Sequence, residues 1–128
     1  MVTAISSGIS ISISCKFEPR FSNPENNLFM FSYRINIENR NDFTICLERR
    51  RWNVQDSAGP ARKVDGEGVV GKQPVIPPGG SYSYRSSCDF STDTGQMRGS
   101  YEMRNLDTDT LFEVEVPSFM LMIPHRLN

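Results

Sequence analysis

Apolar and polar residues alternate without interruption from Ile9 to Phe17, and this alternation constrains the fold more than any other feature of the chain. Successive side chains of a β-strand point to opposite faces, so a period of two predicts a strand with one buried face. The same period returns in four later stretches, which therefore also predict half-buried strands. The predicted inward-facing residues are Ile9, Ile11, Ile13, Cys15 and Phe17; Phe29, Phe31, Tyr33, Ile35 and Ile37; Tyr82, Tyr84, Ser86, Cys88 and Phe90; Met97, Gly99, Tyr101 and Met103; and Phe112, Val114 and Val116.

The alternation changes phase after Leu47. Apolar residues are odd-numbered up to this position, but the next large ones, Trp52 and Val54, are even-numbered. One extra residue in a β-bulge within Glu48–Arg51 would produce this slip, and so would a twist that exposes one side chain. A bulge would place Arg49–Arg51 at a bend. There the arginines either form a solvated edge that discourages strand pairing or contribute to a ligand site.

Clusters of glycine, proline and asparagine separate the predicted strands, and no convincing amphipathic helix occurs. This spacing predicts an all-β fold, a sandwich or a barrel, of about seven to eight antiparallel strands. A chain of 128 residues is the size of one domain, so 1–128 is predicted to form a single domain. An antibody-type disulfide requires cysteines that bracket the tryptophan, but Cys46 precedes Trp52 on the same predicted strand. We therefore expect an immunoglobulin-like β-sandwich without that disulfide.

The run Ser118–Ile123 is apolar on both faces of a predicted strand. Pro117 precedes it and is expected to break the strand register. Such a run is typical of a strand covered on both faces, the more common case, or of a strand whose outer face meets a partner. The second interpretation makes Phe119 and Leu121 candidate partner-binding residues.

Three glycines, Gly66, Gly68 and Gly71, fit the pattern Gly-x-Gly-x-x-Gly of nucleotide-binding loops. A dinucleotide fold places that pattern at a strand-to-helix turn, but Pro74 follows and no periodic helix comes next. A P-loop needs a hydroxyl after its Gly-Lys pair to ligate magnesium, and Gln73 occupies that position. Both nucleotide-binding interpretations therefore fail on the C-terminal side of the motif.

A different mode of anion binding remains open for this segment. Successive backbone N–H groups of a glycine loop can cup an anion without a helix, and nearby basic side chains then supply compensating charge. Alternatively, the glycines only permit positive φ angles and close packing in a buried crossing loop. The first interpretation predicts an anion-binding site that comprises Gly66, Gly68, Gly71, Lys72 and Arg50.

Charges nearly cancel in this chain, with 14 Lys and Arg against 15 Asp and Glu, a net charge of −1. This balance argues against nucleic acid or a membrane surface as a partner, and no apolar run of roughly 18 residues predicts a membrane span. The three cysteines are widely scattered and the single histidine is His125, so we expect neither a metal site nor a Cys-His or Ser-His-Asp catalytic set. We expect a cytoplasmic, non-enzymatic protein with reduced thiols and no cofactor.

Four motifs, together with Gly59 and Pro78-Gly79, carry a resemblance to a known family. The motifs are Arg50-Arg51-Trp52, Gly66-Glu67-Gly68-Val69-Val70-Gly71-Lys72-Gln73-Pro74, Met97-Arg98-Gly99-Ser100-Tyr101 and Phe112-x-Val114-x-Val116-Pro117-x-Phe119. They resemble the ApaG domain family over nearly the whole chain, and the glycine block and the Met-Arg-Gly-Ser-Tyr block are highly specific. In one departure, the residue before the tryptophan is often histidine in the family and is Arg51 here, which weakens a metal-binding role for that position.

The resemblance implies a fibronectin type III-like or immunoglobulin-like sandwich. Bacterial members, also called CorD, are stand-alone proteins linked to cobalt tolerance and magnesium efflux, and their genes often neighbour one for a diadenosine tetraphosphate hydrolase. Similar eukaryotic domains are attached to F-box proteins and to a DNA-polymerase-interacting protein. The resemblance therefore implies a protein-interaction module with a protein partner. The alternative is a binder of a phosphate-containing small molecule, such as a nucleotide polyphosphate, through the segment Gly66–Lys72. A homo-oligomer is compatible with either function.

Overall fold

Two antiparallel β-sheets face each other in the computed structural model, which describes residues 1–57 and 59–124. The first sheet has the strand order β1-β2-β3-β7. The second has the order β5-β4-β8-β9, and a short strand, β6, also pairs with β4. The described residues thus form an all-β, immunoglobulin-like sandwich, the fold class that the alternation predicts, with nine strands where about seven to eight were expected; β1 and β6 are the additional ones. The strands are β1 (Val2–Ser6), β2 (Ile9–Phe17), β3 (Phe29–Asn39), β4 (Ile45–Asp56), β5 (Arg62–Glu67), β6 (Val75–Ile76), β7 (Ser81–Phe90), β8 (Thr94–Asn105) and β9 (Thr110–Met122).

The period-two alternation determines which side chains enter the core. Ile9, Ile11 and Ile13 of β2 are buried together with the inward-facing residues of β3, and the serines between them face outward. Cys15 departs from the expected pattern because it is exposed, and its thiol donates a hydrogen bond to the carbonyl oxygen of Met120. The core is otherwise formed by the predicted faces of both sheets.

The phase slip in β4 is a β-bulge, as predicted. Its pairing with β8 shifts register between Leu47 and Arg49, so Glu48 is the extra residue. Beyond the bulge, Arg50 and Trp52 face the interior, while Arg51 faces the outside. The expectation of a solvated edge is wrong, because β4 is an inner strand that pairs with β5 on one side and β8 on the other.

Strand β9 corrects the prediction for the C-terminal apolar run. Phe119 and Leu121 are 3% and 0% exposed, so their side chains belong to the core and cannot form a surface for a partner. The strand is the edge of its sheet, and within the C-terminal apolar run the exposed apolar side chain is that of Met120, at 47%. Pro117 does not end the strand, but it lies where the pairing with β8 shifts register, opposite the step from Met97 to Gly99. The predicted break is therefore a local bulge.

Aromatic rings fill the space between the sheets around Trp52. Its ring centroid lies 6.3 Å from that of Tyr33 in the first sheet, and 6.0 and 6.2 Å from those of Tyr101 and Phe119 in the second. On one side of these rings β9 packs against β1 and β2. On the other side the edge strands β5 and β7 leave an opening between the two sheets.

None of the helices in the described part of the chain is long and apolar enough to cross a membrane. The single histidine, His125, for which the sequence predicts no catalytic set, lies outside the described residues.

Candidate functional site

The glycine-rich segment folds into a two-residue β-hairpin just after β5. The amide of Val69 donates to the carbonyl oxygen of Lys72 at 2.8 Å, and the amide of Lys72 donates to that of Val69 at 3.0 Å. The two central residues, Val70 and Gly71, have φ angles of 49° and 76°. Positive φ at both central positions defines a type I′ turn, the type that matches the twist of β-strands. We call Val69–Lys72 the tip hairpin.

The backbone amides of this segment are not arranged as an open anion nest. The amide of Gly68 donates to the carbonyl oxygen of Glu48 at 2.7 Å, and that of Lys72 is used within the tip hairpin. Gly68 has a φ angle of 60°, and a Cβ atom there would lie 2.0 Å from the carbonyl oxygen of Lys72. The glycine is therefore required for positive φ and close backbone packing, which is the second of the two interpretations drawn from the sequence.

Arg50 lies directly beside this segment and binds its carbonyl groups. Its Nη1 atom donates to the carbonyl oxygens of Glu67 and Gly68, each at 3.0 Å. Gly66 pairs with Arg50 across the two strands, and a Cβ atom at Gly66 would lie 3.1 Å from both terminal nitrogens of the guanidinium. The absence of a side chain at Gly66 thus makes room for this guanidinium.

The charge of Arg50 has no acidic partner in the described part of the chain. The neighbouring arginines on the outer face do have acidic partners. Arg49 Nε lies 2.9 Å from a carboxylate oxygen of Asp65, and Arg51 Nη1 lies 3.4 Å from a carboxylate oxygen of Glu113. Arg50 is half-buried and forms no such ion pair within residues 1–57 and 59–124. A partly buried cation normally has a counter-charge, because removing it from water costs free energy.

Arg50 faces a cavity of about 290 Å³ at the opening between β5 and β7. We call this cavity the inter-sheet cleft. Its walls combine aromatic, apolar and basic side chains, which is typical of binding clefts. Arg62 also lines the cleft and forms an ion pair with Asp89, with 3.5 Å between Nη1 and Oδ1. The lining residues are Tyr33, Arg50, Trp52, Val54, Arg62, Val64, Val70, Tyr84, Ser86, Ser87, Cys88, Asp89 and Met97.

The tyrosine and cysteine side chains that line the cleft favour their neutral forms. Burial raises the pKa of Tyr33 and of Tyr84, although the nearby charge of Arg50 partly opposes this. Burial also raises the pKa of the Cys88 thiol to about 11, so the nucleophilic thiolate is scarce at neutral pH. Within the described residues, no group of three or more His, Cys, Asp and Glu side chains could hold a metal ion. The arrangement is suited to binding an anionic group.

The structure brings together only some of the predicted anion-binding residues. Arg50, Gly66 and Gly68 are in contact, whereas Gly71 and Lys72 lie at the exposed end of the tip hairpin and do not line the cleft. No sequence pattern indicated the cleft residues that β3 and β7 contribute. For Arg50 the sequence does hold a signal, because the phase slip places it on the same face as Trp52 and therefore inside the sandwich.

These features define a β-sandwich protein with an arginine-containing cleft between its two sheets. The family model described as "ApaG domain" matches residues 19–105. The chain belongs to the ApaG domain family.

Similar proteins support this assignment along almost the entire chain. Protein ApaG of Brucella abortus (strain S19) is 39% identical over 126 residues, which cover 98% of this chain and 96% of that protein. Protein ApaG of Methylobacterium sp. (strain 4-46) is 38% identical over 125 residues, covering 98% and 95%. The crystal structure of the putative ApaA protein from Bordetella pertussis superposes with a TM-score of 0.87 at 31% identity, covering 91% of this chain and 94% of that one.

Proposed function

We propose that this protein is a non-enzymatic interaction module that binds an acidic, partly apolar segment of a protein partner in the inter-sheet cleft. The observation that carries the proposal is the half-buried guanidinium of Arg50, which lines the cleft without an acidic partner in the described chain. Among the described residues, only its Nη1 atom donates hydrogen bonds to the protein, so the remaining N–H donors are available to a carboxylate. A guanidinium matches a carboxylate in planar, bidentate geometry.

The walls of the cleft favour a segment that is apolar around its acidic group. Val64 and Val70 are exposed at the opening, and Met97 and Trp52 lie deeper. A volume of about 290 Å³ accommodates only a small part of a partner. We therefore expect one acidic side chain with an adjacent apolar residue to enter, while the rest of the partner contacts the rim.

The non-enzymatic part of the proposal rests on the chemistry of the groups in the cleft. Covalent catalysis requires an activated nucleophile, and the raised pKa of Cys88 opposes activation. General acid–base catalysis is favoured by a group whose pKa lies near the working pH, whereas burial moves the pKa of Tyr33 and Tyr84 further above it. These groups are suited to packing and to donating hydrogen bonds.

The proposal is tested with the matched pair Arg50→Gln and Arg51→Gln. Both variants remove one positive charge from adjacent residues of β4, but only Arg50 faces the cleft. Proteins captured from a cell extract by the wild type and each variant are quantified, and the melting temperature of each variant is measured. We expect Arg50→Gln to lose specific partners that Arg51→Gln retains. Equal capture by all three folded proteins would rule out the cleft as the contact.

A second candidate function, binding of a small anion or nucleotide polyphosphate, is supported by the two basic side chains of the cleft. Arg50 and Arg62 would then bind the phosphate groups, with Gly66 making room for the guanidinium of Arg50. The engaged amide of Gly68 reduces the expected contribution of the backbone. Pyrophosphate and diadenosine tetraphosphate are titrated while amide NMR shifts are recorded. Unchanged shifts at Arg50 and Gly66 at millimolar ligand would eliminate this function.

We further propose that a link to cobalt tolerance and magnesium efflux, which the family resemblance implies, acts through the bound partner. The positive charges of Arg50 and Arg62 repel a divalent cation from the cleft. Titration of the isolated protein with Co²⁺ and Mg²⁺ should leave the amide shifts of cleft residues unchanged. Specific shifts there would show direct metal binding instead.

A cytoplasmic location is proposed on the state of the cysteines. Cys15, Cys46 and Cys88 are all free, and burial raises the pKa of each thiol. Free thiols are the normal state in a reducing compartment. Fractionation of cells that express the protein, with thiol labelling of each fraction, tests the location.

A further inference from the structure

A second basic site lies on the outer face of the first sheet. Arg34 of β3 is directly opposite Arg85 of β7 in the strand register, and Ser14 of β2 is opposite Arg34 on the other side. Both arginines are exposed. In the next row of the same face, Lys16 is opposite Ser32. Three basic side chains therefore surround two short hydroxyl-bearing residues across three strands.

The pair of arginines is unusual because like charges face each other without a counter-ion. Directly opposed like charges destabilise an antiparallel sheet. Arg34 and Arg85 form no ion pair with the described residues, whereas Arg62 and Arg104 do. Lys16 is only loosely paired, with 3.9 Å between Nζ and a carboxylate oxygen of Glu18. An arrangement that costs stability in the free protein indicates that an anion compensates it.

A hollow of about 410 Å³ lies among these side chains. It arises because Ser14 and Ser32 are short, while Arg34, Arg85 and Lys16 are long. Hydroxyl groups therefore lie low in the hollow and cationic groups at its rim. The carboxylate of Glu18 also borders the hollow, on the side of Lys16.

We propose that this outer-face site binds the phosphomonoester group of a small molecule. A phosphomonoester carries close to two negative charges and three acceptor oxygens, which match two guanidinium groups, an ammonium group and serine hydroxyls. The site holds one such group, because acidic residues limit it: Glu18 borders the hollow and Glu38 lies further along β3. A nucleic acid would require a longer basic stripe, and the net charge of −1 opposes one.

The charged residues of this site are distinct from those of the inter-sheet cleft: Arg34 and Arg85 border the hollow and do not line the cleft, although Tyr33 borders both. Failure of one proposal therefore leaves the other intact. Substitutions in the outer-face site should leave partner capture that depends on Arg50 unchanged.

The test uses amide NMR shifts with inorganic phosphate, phenyl phosphate and phosphoserine as probes, at about pH 7.5, where the phosphate is mostly a dianion. We compare the wild type with Arg34→Gln/Arg85→Gln and with a control of equal charge, Arg40→Gln/Arg98→Gln. We expect shifts at Ser14, Ser32, Arg34 and Arg85, and about tenfold weaker binding in the first double variant only. The first double variant should also be at least as thermally stable as the wild type, because the like-charge contact is removed.

The absence of amide shifts at tens of millimolar phosphate would overturn the proposal. Equally weakened phosphate binding in both double variants would also overturn it, because it would indicate non-specific charge attraction. Binding of a DNA duplex or a phosphoserine-containing peptide much more tightly than phosphoserine itself would assign the site to a macromolecule instead.

Equal affinity for phenyl phosphate and phosphoserine would support recognition of the phosphate group alone.

Discussion

The phenolic oxygens of Tyr84 and Tyr101 lie 2.5 Å apart in the interior of the protein. Tyr84 belongs to β7 in the first sheet and Tyr101 to β8 in the second, so this hydrogen bond joins the two halves of the sandwich. Both side chains are buried. Each hydroxyl therefore depends on the other for a partner, and Tyr84 also lines the cleft that Arg50 enters.

Removing both hydroxyls of this pair should cost less stability than the two single removals added together. Tyr84→Phe or Tyr101→Phe leaves the other hydroxyl buried without its partner, which costs about 1–3 kcal/mol, whereas the double variant leaves no orphaned group. We expect the double variant to lose less stability than the sum of the single losses. The free energy of unfolding of all four proteins in urea gives the coupling energy. Tyr82→Phe, on the same strand, is the control, and an additive double variant would contradict the prediction.

The same pair should make the protein sensitive to alkaline pH. Burial raises the pKa of Tyr84 and Tyr101 in the folded protein, while the unfolded chain titrates near pH ~10. The folded state then keeps protons that the unfolded state loses. Stability is complete below pH ~10 and falls above it, by up to about 1.4 kcal/mol per pH unit for each tyrosine.

This pH dependence is measured as the free energy of unfolding from neutral to strongly alkaline pH. The variant Tyr84→Phe/Tyr101→Phe serves as the comparison, because it lacks both titrating groups and should show a shallower decline. Parallel curves for wild type and double variant would show that other groups determine alkaline unfolding.

Most of the fold could be predicted because it depends on a local rule. The alternation of residues places Ile11, Tyr33 and Tyr101 inward whatever their long-range partners are. Strand order and edges follow from pairing, which the alternation does not contain. For this reason the sequence left two interpretations of Phe119 and Leu121, a covered strand or a partner surface, and their burial in the core excludes the second.

The candidate site was only partly predictable for a related reason. The phase slip at Glu48 indicated a bulge, and with it the inward direction of Arg50, but the other walls of the cleft come from distant strands. The glycines also had two interpretations that differ only in hydrogen bonding. The internal bond of the Gly68 amide favours the role in packing, and no sequence pattern reports such a bond.

Val70 should limit the stability of the tip hairpin. It has a φ angle of 49°, which is unfavourable for a β-branched residue by about 1–2 kcal/mol. Asn-Gly is a preferred central pair of a type I′ turn, so Val70→Asn should stabilise the protein by about 1 kcal/mol. Because Val70 also lines the cleft, the same variant should bind the partner more weakly.

The control for this prediction is Val75→Asn, because Val70 and Val75 are equally exposed, at 59% each. Val75 lies in β6, where asparagine is unfavourable, so this variant should be slightly less stable than the wild type. Melting temperatures and partner capture are compared for both variants. A Val70→Asn variant that melts no higher than the wild type would contradict a strained turn.

Two glycines of the motif should respond very differently to alanine. Gly68→Ala places a Cβ atom 2.0 Å from a backbone oxygen and requires positive φ, so we expect a loss of about 3 kcal/mol. At Gly66 a Cβ atom would meet only the guanidinium of Arg50, at 3.1 Å, and this flexible group can move. Gly66→Ala should therefore fold with a loss of about 1 kcal/mol or less, yet displace Arg50 from its carbonyl partners and weaken capture of the partner.

Urea unfolding measures the stability of both glycine variants, and capture by the folded Gly66→Ala protein measures the effect on partner binding. Normal capture by this variant would mean that the position of Arg50 does not determine binding.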